Sequence, residues 1–505
     1  MWLTLAMMCG VFLYGAYPSI YLPCLLWGSF ILSVSAYLIY GTRRRSSFIS
    51  DILYLFLGFV LGASLSYVFT FKKRQLPPGE VVDVTLHIRS FGTLRPSGMR
   101  YYCHVLDCSD PILKGHNLAF YSGEDDLLPG SLIKLKVKLK GISSFFDQEE
   151  GKADLHGYGH WLLSKGMSGS AYALSDVVYL GSDDSSLKVK ALLSNLSLRR
   201  SFSSLPLDAF SKESLLSMIL GRGGMQSAHE SDVSMSYRNC GASHILAVSG
   251  FHLGVVALLI YLLTYPLRLF CVRLPNLIIL AAVWWFSWIC GLSPSTIRAA
   301  LMLSIYYISF LLPYPGDTLN ILAVSAMILL FINPYMVYDY GFALSYVSVL
   351  SILVFMPLLR SFVSLENPLI DYLWSLFLVG VSVQPLVLPL CLYFFGSHAL
   401  LGVIMNLPLA ILSTLMIPLG VLRMLISFCS IRIPLLDQAL CYLAEVNTSL
   451  LKYFTSSSLP QIEGRFPFLL VVILWLMFLG IATYCHIRLI EKQSSWLVPS
   501  RPQLS

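Results

Sequence analysis

The sequence predicts a polytopic α-helical membrane protein with a small inserted β-barrel domain, OB-like and extracytoplasmic. Three observations carry this. The 505 residues are 56% hydrophobic and only 12% charged, with a mean hydropathy of +0.72. Soluble domains run near a quarter charged, and a globule this apolar could not cover its own surface. Apolar runs near the ~20 residues that cross a bilayer recur along the chain. Between the third and fourth of them, at about 72–204, lies a polar region containing strict period-two alternation.

Three spans open the chain, at about 1–17, 20–40 and 52–71. The first lacks a basic leader and a second apolar run follows at once, so it reads as a retained anchor rather than a cleaved signal peptide. The break GTRRRSS separates the second span from the third. Arg43, Arg44 and Arg45 put that loop in the cytoplasm, the N-terminus inside and the polar region outside. Later apolar runs fall at 244–265, 274–290, 296–312, 319–332, 337–356, 372–395, 400–428 and 468–486. The run at 319–332 is short enough for a partial or re-entrant element. If every run spans, Arg268, Arg273, Arg360, Arg423 and Arg432 fall on the cytoplasmic side, while Lys72, Lys73 and Arg74 dissent.

Two segments read as amphipathic helices, lying either in the interface or packed between domains. Segment 435–454 sets Leu436, Leu440, Leu443, Leu450 and Phe454 among Asp437, Gln438, Glu445 and Lys452. Segment 187–207 is basic, with Lys188, Lys190, Arg199 and Arg200. The organisation is then 1–74 for three transmembrane helices, 75–185 for the OB-like domain and 186–236 for connecting helices. A transmembrane channel core follows at 237–430, an amphipathic helix and last span at 431–490, and a tail at 491–505.

In the polar domain, Val82, Val84, Leu86 and Ile88 alternate with Asp83, Thr85, His87 and Arg89, a half-buried strand. SLIKLKVKLK alternates more strictly. Ile133, Leu135, Val137 and Leu139 face one way and Lys134, Lys136, Lys138 and Lys140 the other. Further short strands at 100–106 and 117–121 suggest a small barrel or sandwich, of which an OB-like barrel is one form. The lysine face would track a phosphate backbone, with Tyr101, Tyr102 and Phe120 as stacking faces for bases. The competing reading is an edge strand guarded by lysines against aggregation. Cys103 and Cys108 are close enough to pair across a turn in a compartment that permits disulfides; free buried thiols are the equal alternative. Most of the 11 cysteines fall in apolar runs, and no Cys/His cluster has zinc spacing, so neither metal nor cofactor is expected. The net charge of +7 fits cytoplasmic loops or attraction to a polyanion.

The stretch HILAVSGFHLG places polar groups at the head of an apolar run. On a regular helix His252 would lie ~80° and Ser249 ~140° round from His244, one broad face suited to a hydrated cavity. Gly250 beside Ser249 would loosen that helix. Ser249 with His252 also raises an intramembrane hydrolase, although i, i+3 is a poor spacing for in-line proton abstraction. Arg298 in LSPSTIRAALM either snorkels to the outer interface or lines a pore, and Asp339 and Asn320 are similarly placed near span ends.

HILAVSGFHLG resembles the HLLAISGLHVG signature of the ComEC competence proteins, bacterial membrane channels for DNA uptake. MILGRGGMQSAHESDVSMSYRNCGASH resembles the family's lead-in to that signature, and LSPSTIRAALM its Ser-Pro-Ser…Arg-Ala segment. DTLNILAVSAMILLFINPYMVYDYGFALSYVSVLSI is similar to its Asn…Asn-Pro…Gly-Phe-x-Leu-Ser block, and NLPLAILSTLMIPLG to a later segment. FFDQEEGKADLHGYGHWLLSKGMSGSAYA resembles the close of the family's OB-like domain. The resemblance implies an inner-membrane channel passing single-stranded DNA in natural transformation. It implies pore architecture for Gly241, His244, Ser249, Gly250, His252, Gly254, Arg298, Asn320, Asn333, Pro334, Gly341 and Ser345. It also shifts the lysine face towards a strand-guiding surface. Implied partners are single-stranded DNA, the lipid bilayer and other uptake proteins (a DNA receptor, an ATPase or helicase), with homo-oligomerisation left open. Many members carry a C-terminal metallo-β-lactamase-like domain. With no HxHxDH-type cluster here, the expectation is no nuclease activity and no enzyme. GRGG at 221–224 lacks the lysine and spacing of a P-loop, so energy would come from a partner or a proton gradient. The alternatives are an intramembrane serine hydrolase at Ser249 and a small-solute or lipid transporter.

Overall fold

A computed structural model describes residues 1–16, 21–40, 47–71, 79–95, 98–123, 127–142, 157–222, 228–269, 271, 273–311, 316–363, 365–399, 402–428, 431–456 and 461–497. Six helices are long and apolar enough to cross a membrane: Ile52–Thr70, Gly250–Leu269, Tyr340–Arg360, Pro368–Phe395, Gly402–Ser427 and Phe468–Arg488. Shorter apolar helices occupy Trp2–Gly15, Tyr21–Ile31, Leu274–Ile289 and Thr318–Ile332. The protein is a multi-pass membrane protein, and each apolar run of the sequence coincides with helix. The arginine triplet and Lys72, Lys73 and Arg74, which argued the topology, lie outside the described residues.

One expectation fails. The run 244–265 is not one helix. Ser243–Leu246 makes a single turn, Ser249 is extended (φ −117°, ψ 179°), and a new helix begins at Gly250. A helix N-terminus leaves its first N–H groups without intrahelical acceptors, and a serine there is a favoured cap. The shared polar face computed for a continuous helix therefore does not exist.

The chain forms two compact units, the first comprising Met1–Val233, His244–Ala343 and Thr414–Glu445. In it, the helices Trp2–Ala16 and Ser47–Phe71 approach backbone to backbone. A methyl group on Gly58 would stand 2.6 Å from the Leu3 carbonyl oxygen. Gly10 meets Phe59 and Gly62 meets Met7 in the same way, the small-residue packing that membrane helices use where lipid gives no hydrophobic drive.

The same unit contains the barrel. β1 (Val81–Ile88) pairs antiparallel with β3 (Gly98–Cys108), and β3 with β4 (Asn117–Ser122). β4 runs parallel to β6 (Gly169–Ala173), and β6 returns antiparallel to β5 (Ser131–Gly141). β5 then pairs with β1 and closes the five strands into a barrel. β2 (Thr93–Arg95) extends β3, and β7 (Val178–Ser182) pairs with the start of β5. Val84, Leu86, Tyr101, Val105, Phe120 and Ile133 fill the interior.

The alternation read in β5 holds. Ile133, Leu135, Val137 and Leu139 are buried, Lys134, Lys136 and Lys138 are exposed, and Lys140 is half-buried. The edge-guard alternative falls, because β5 has β1 on one side and β6 with β7 on the other. No open edge needs protecting there.

Segment 187–207 packs rather than floating in the interface. Its helix, Leu187–Ser201, buries Val189, Ala191, Asn195 and Leu198. Asn195 Nδ2 donates to the carbonyls of Leu220 (3.0 Å) and Ile289 (2.8 Å), tying two helix ends together. Arg423 is buried on the Phe202 ring at 4.4 Å and pairs with Asp437 at 2.7 Å.

The second unit holds Ser234–Ser243, Leu344–Ser413 and Val446–Ser505. Phe355, Leu358, Leu386 and Ala482 pack its long helices, and Trp475 Nε1 donates to the Leu386 carbonyl at 2.8 Å. A two-stranded ribbon, β8 (Ser397–Ala399) with β9 (Gln461–Glu463), joins their ends. Asn447 Nδ2 donates to Tyr237 Oη at 2.7 Å inside this unit.

Candidate functional site

The barrel's outer face carries a row that the sequence did not reveal. Arg100 on β3 is the cross-strand partner of Tyr121 on β4, Tyr121 of Tyr172 on β6, and Tyr172 of Lys138 on β5. Two cations thus bracket two aromatic rings in one lateral register. The rings of Tyr121 and Tyr172 are stacked, 5.0 Å apart and 13° from parallel. The short helix Tyr158–Ser164 lies against this face. Tyr158 Oη meets Tyr121 Oη at 2.6 Å, the Tyr158 ring stacks on Trp161 at 5.4 Å, and Tyr102 lies 6.4 Å from Trp161. Burial pushes the Tyr158 and Tyr172 hydroxyls above the ordinary tyrosine range, so both rings stay neutral at physiological pH.

Two expectations about this domain are corrected. Tyr101 and Phe120 are fully buried in the barrel interior and offer no stacking face. The strand phase that turns Tyr101 inwards turns Arg100 and Tyr102 outwards. Cys103 and Cys108 are free thiols. They stand five positions apart on one extended strand, ~16 Å at the usual rise, beyond disulfide reach. Cys103 donates to the Leu118 carbonyl at 3.3 Å, and burial pushes its thiol up to about 12.

Several motif residues serve a second place, where the barrel's helix meets the membrane helices. Asn333 Nδ2 donates to the carbonyls of Leu163 and Ser164, both at 2.9 Å, at a helix end where the Leu163 carbonyl also accepts from the Gly166 N–H. Its Oδ1 accepts from the Tyr335 N–H at 3.0 Å, with Pro334 at the first position of the turn that follows. Lys165 Nζ pairs with Asp339 Oδ2 at 2.7 Å, and Asp339 Oδ1 accepts from the Gly341 N–H at 3.1 Å. The His160 ring stacks on Tyr338 at 4.5 Å. Arg298 does not snorkel: it is buried, and its Nη2 would lie 3.4 Å from a Cβ at Gly341.

The opening signature resolves into a cap. Ser249 N–H donates to His252 Nδ1 at 3.3 Å, and Ser249 Oγ lies 3.1 Å from the same nitrogen. His252 is buried while His244 is exposed on its separate turn. Gly250 is exposed with Ala299 as its neighbour, and nothing lies within 4 Å of a Cβ at Gly254. Asn320 is exposed in the first turn of Thr318–Ile332. In the second unit, Gly241 has φ +71° and a Cβ there would stand 3.0 Å from the Cβ of Ala399; Ser345 is half-buried. Within the first unit, Gly250 thus neighbours the helix of Arg298, and Arg298 neighbours Gly341.

A family model described as competence protein matches residues 223–489. The chain belongs to the competence protein family. It is also similar to ComE operon protein 3 of Bacillus subtilis (strain 168), 30% identical over 180 residues that make up 35% of this chain and 22% of that relative. The matched stretch thus spans about a fifth of the relative's length. No solved structure matches the chain. Within this competence protein, the family match begins after the barrel, so the row on β3, β4, β6 and β5 lies outside the part that membership defines. Sequence signals for the row existed singly: Tyr121 and Tyr172 each follow period-two alternation. Only the parallel pairing of β4 with β6 brings them together.

Proposed function

We propose that this chain carries a single strand of DNA across the bacterial inner membrane during natural transformation, with the barrel on the extracytoplasmic side receiving the strand. The observation that carries the reading is the face of β5. Lys134, Lys136 and Lys138 stand exposed on a strand held from both sides, alongside half-exposed aromatic rings. Cations at fixed spacing attract phosphates, and adjacent rings stack bases without regard to sequence. The six membrane-spanning helices and the family supply the setting. Transport energy would come from a partner protein or a proton gradient, and a DNA receptor from a partner protein.

The test is binding of fluorescent single-stranded DNA to the full chain in nanodiscs across a salt series. Affinity should fall steeply with salt, by ~0.7 log units per log unit of salt for each phosphate neutralised. Charge reversal of Lys134, Lys136, Lys138 and Lys140 should abolish most of that slope. No binding by the unaltered chain at low salt would defeat the reading.

A second reading, serine hydrolysis in the membrane, has one observation in its favour, the 3.1 Å contact of Ser249 Oγ with His252 Nδ1. The cap accounts for that contact fully, because the same nitrogen accepts the Ser249 backbone N–H. Among the described residues no carboxylate orients the imidazole from Nε2, as a triad would require. Labelling by a fluorophosphonate that disappears in Ser249→Ala would reverse this judgement.

A further inference from the structure

Arg100 is electrostatically incomplete. It is 8% exposed, its Nε is buried without a hydrogen-bond partner, and among the described residues no carboxylate pairs with it. Its guanidinium rests 4.4 Å from the centroid of Trp161 and 5.6 Å from that of Tyr102. Asp339, whose charge reaches the Tyr102 hydroxyl, is already bound by Lys165 and the Gly341 N–H.

A charge removed from water without a counter-ion is costly, and ring faces return only part of that cost. Packing alone would be served as well by methionine. What a ring-backed guanidinium adds is a planar fork of donors, held flat and ready for two oxygens of one anion. The position fits that use. Arg100 ends the lateral row Arg100–Tyr121–Tyr172–Lys138, three strands round the barrel wall from Lys138. The helix Tyr158–Ser164, which Asn333 fixes to the membrane helices, packs over Tyr121 and buries it, leaving Tyr172 and Lys138 open.

We propose that Arg100, backed by Trp161 and Tyr102, binds a phosphodiester group of a single nucleic-acid strand that passes the edge of the helix Tyr158–Ser164. Arg100 is then a fixed point between the lysine face of β5, where the strand is gathered, and the membrane helices. This rests on the reading of the chain as a DNA-uptake protein.

The experiment compares the full chain in nanodiscs with its Arg100→Gln and Arg100→Lys variants, using an oligothymidylate and fluorescence anisotropy over a salt series. Arg100→Gln should weaken binding several-fold and reduce the salt slope by ~0.7, one phosphate contact. Arg100→Lys should restore the slope. A merely structural role would leave the slope unchanged. Should Arg100→Gln not fold, Arg100→Met, whose stem keeps the contact with the rings, gives the same readout. An unaltered slope in the neutral variants, with binding still lost on reversal of the four β5 lysines, overturns the role of Arg100 and leaves the DNA reading standing. Absence of binding by the unaltered chain overturns both.

Discussion

The exposed lysines of β5 and the buried charges beside the membrane helices lie in the same compact unit and are built in opposite ways. Lys134, Lys136 and Lys138 make no ion pair among the described residues and face outwards from a rigid strand. Lys165, Asp339, Asn333 and Gly341 are tied into one another or into helix ends, and Arg298 is packed against Gly341. On the proposed reading the first set keeps its charge for a ligand, whereas the second ties its polar atoms into the contact between the barrel's helix and the membrane helices. Residues that stand out in a sequence motif need not be those that touch the transported molecule. Here the motif block around Asn333 forms a seat for the barrel's helix, and the proposal puts the ligand face on β5.

Breaking the interior of the barrel should have the largest effect on stability. Tyr101→Ala removes a fully buried ring and should cost about 3–5 kcal/mol, the range for large aromatic truncations. Tyr102→Ala, half-buried on the outer face against Trp161, should lower the melting temperature clearly less while weakening DNA binding. Near-equal losses of stability would show that the inside–outside assignment is wrong. Next comes the seat. Asp339→Ala strands Lys165, whose side chain is 21% exposed. The expected loss is about 2 kcal/mol, below the usual cost of breaking a buried pair because water still reaches the ammonium. Limited proteolysis near the helix Tyr158–Ser164 should detect it as faster cleavage, and an unchanged cleavage rate would remove the ion pair from the seat. The smallest effect on stability belongs to β5. Reversing Lys134, Lys136 and Lys138, all exposed, should shift unfolding by less than about 0.5 kcal/mol at each position, while DNA binding collapses. That split between stability and binding would sharpen the contrast between the two regions.

Much of this was legible in the sequence. Composition and apolar run length located the membrane helices, and period-two alternation located β1 and β5 with the correct residues inside. What escaped depends on long-range pairing. Nothing local joins Arg100 to Tyr172; only the register through β4 and β6 does. Tyr101 was misplaced because neighbouring tyrosines look alike until the phase of β3 is fixed. The break at 247–249 was hinted by Ser249–Gly250, but apolar periodicity cannot register one extended residue between two helices. The hydrogen bonds of Asn333 were not legible because its partners, the carbonyls of Leu163 and Ser164, lie far back in the chain.

The central claim is that a nucleic-acid strand lies on the open part of the barrel's outer face, from the β5 lysines past Tyr172 to Trp161. Photo-cross-linking tests it most directly, with a 4-thiothymidine strand bound to the full chain in membrane vesicles and adducts mapped by mass spectrometry. Adducts should fall on Tyr172, Trp161 and the outward residues of β5, and should fade as salt rises. A bound strand whose adducts all lie outside the barrel would contradict the account.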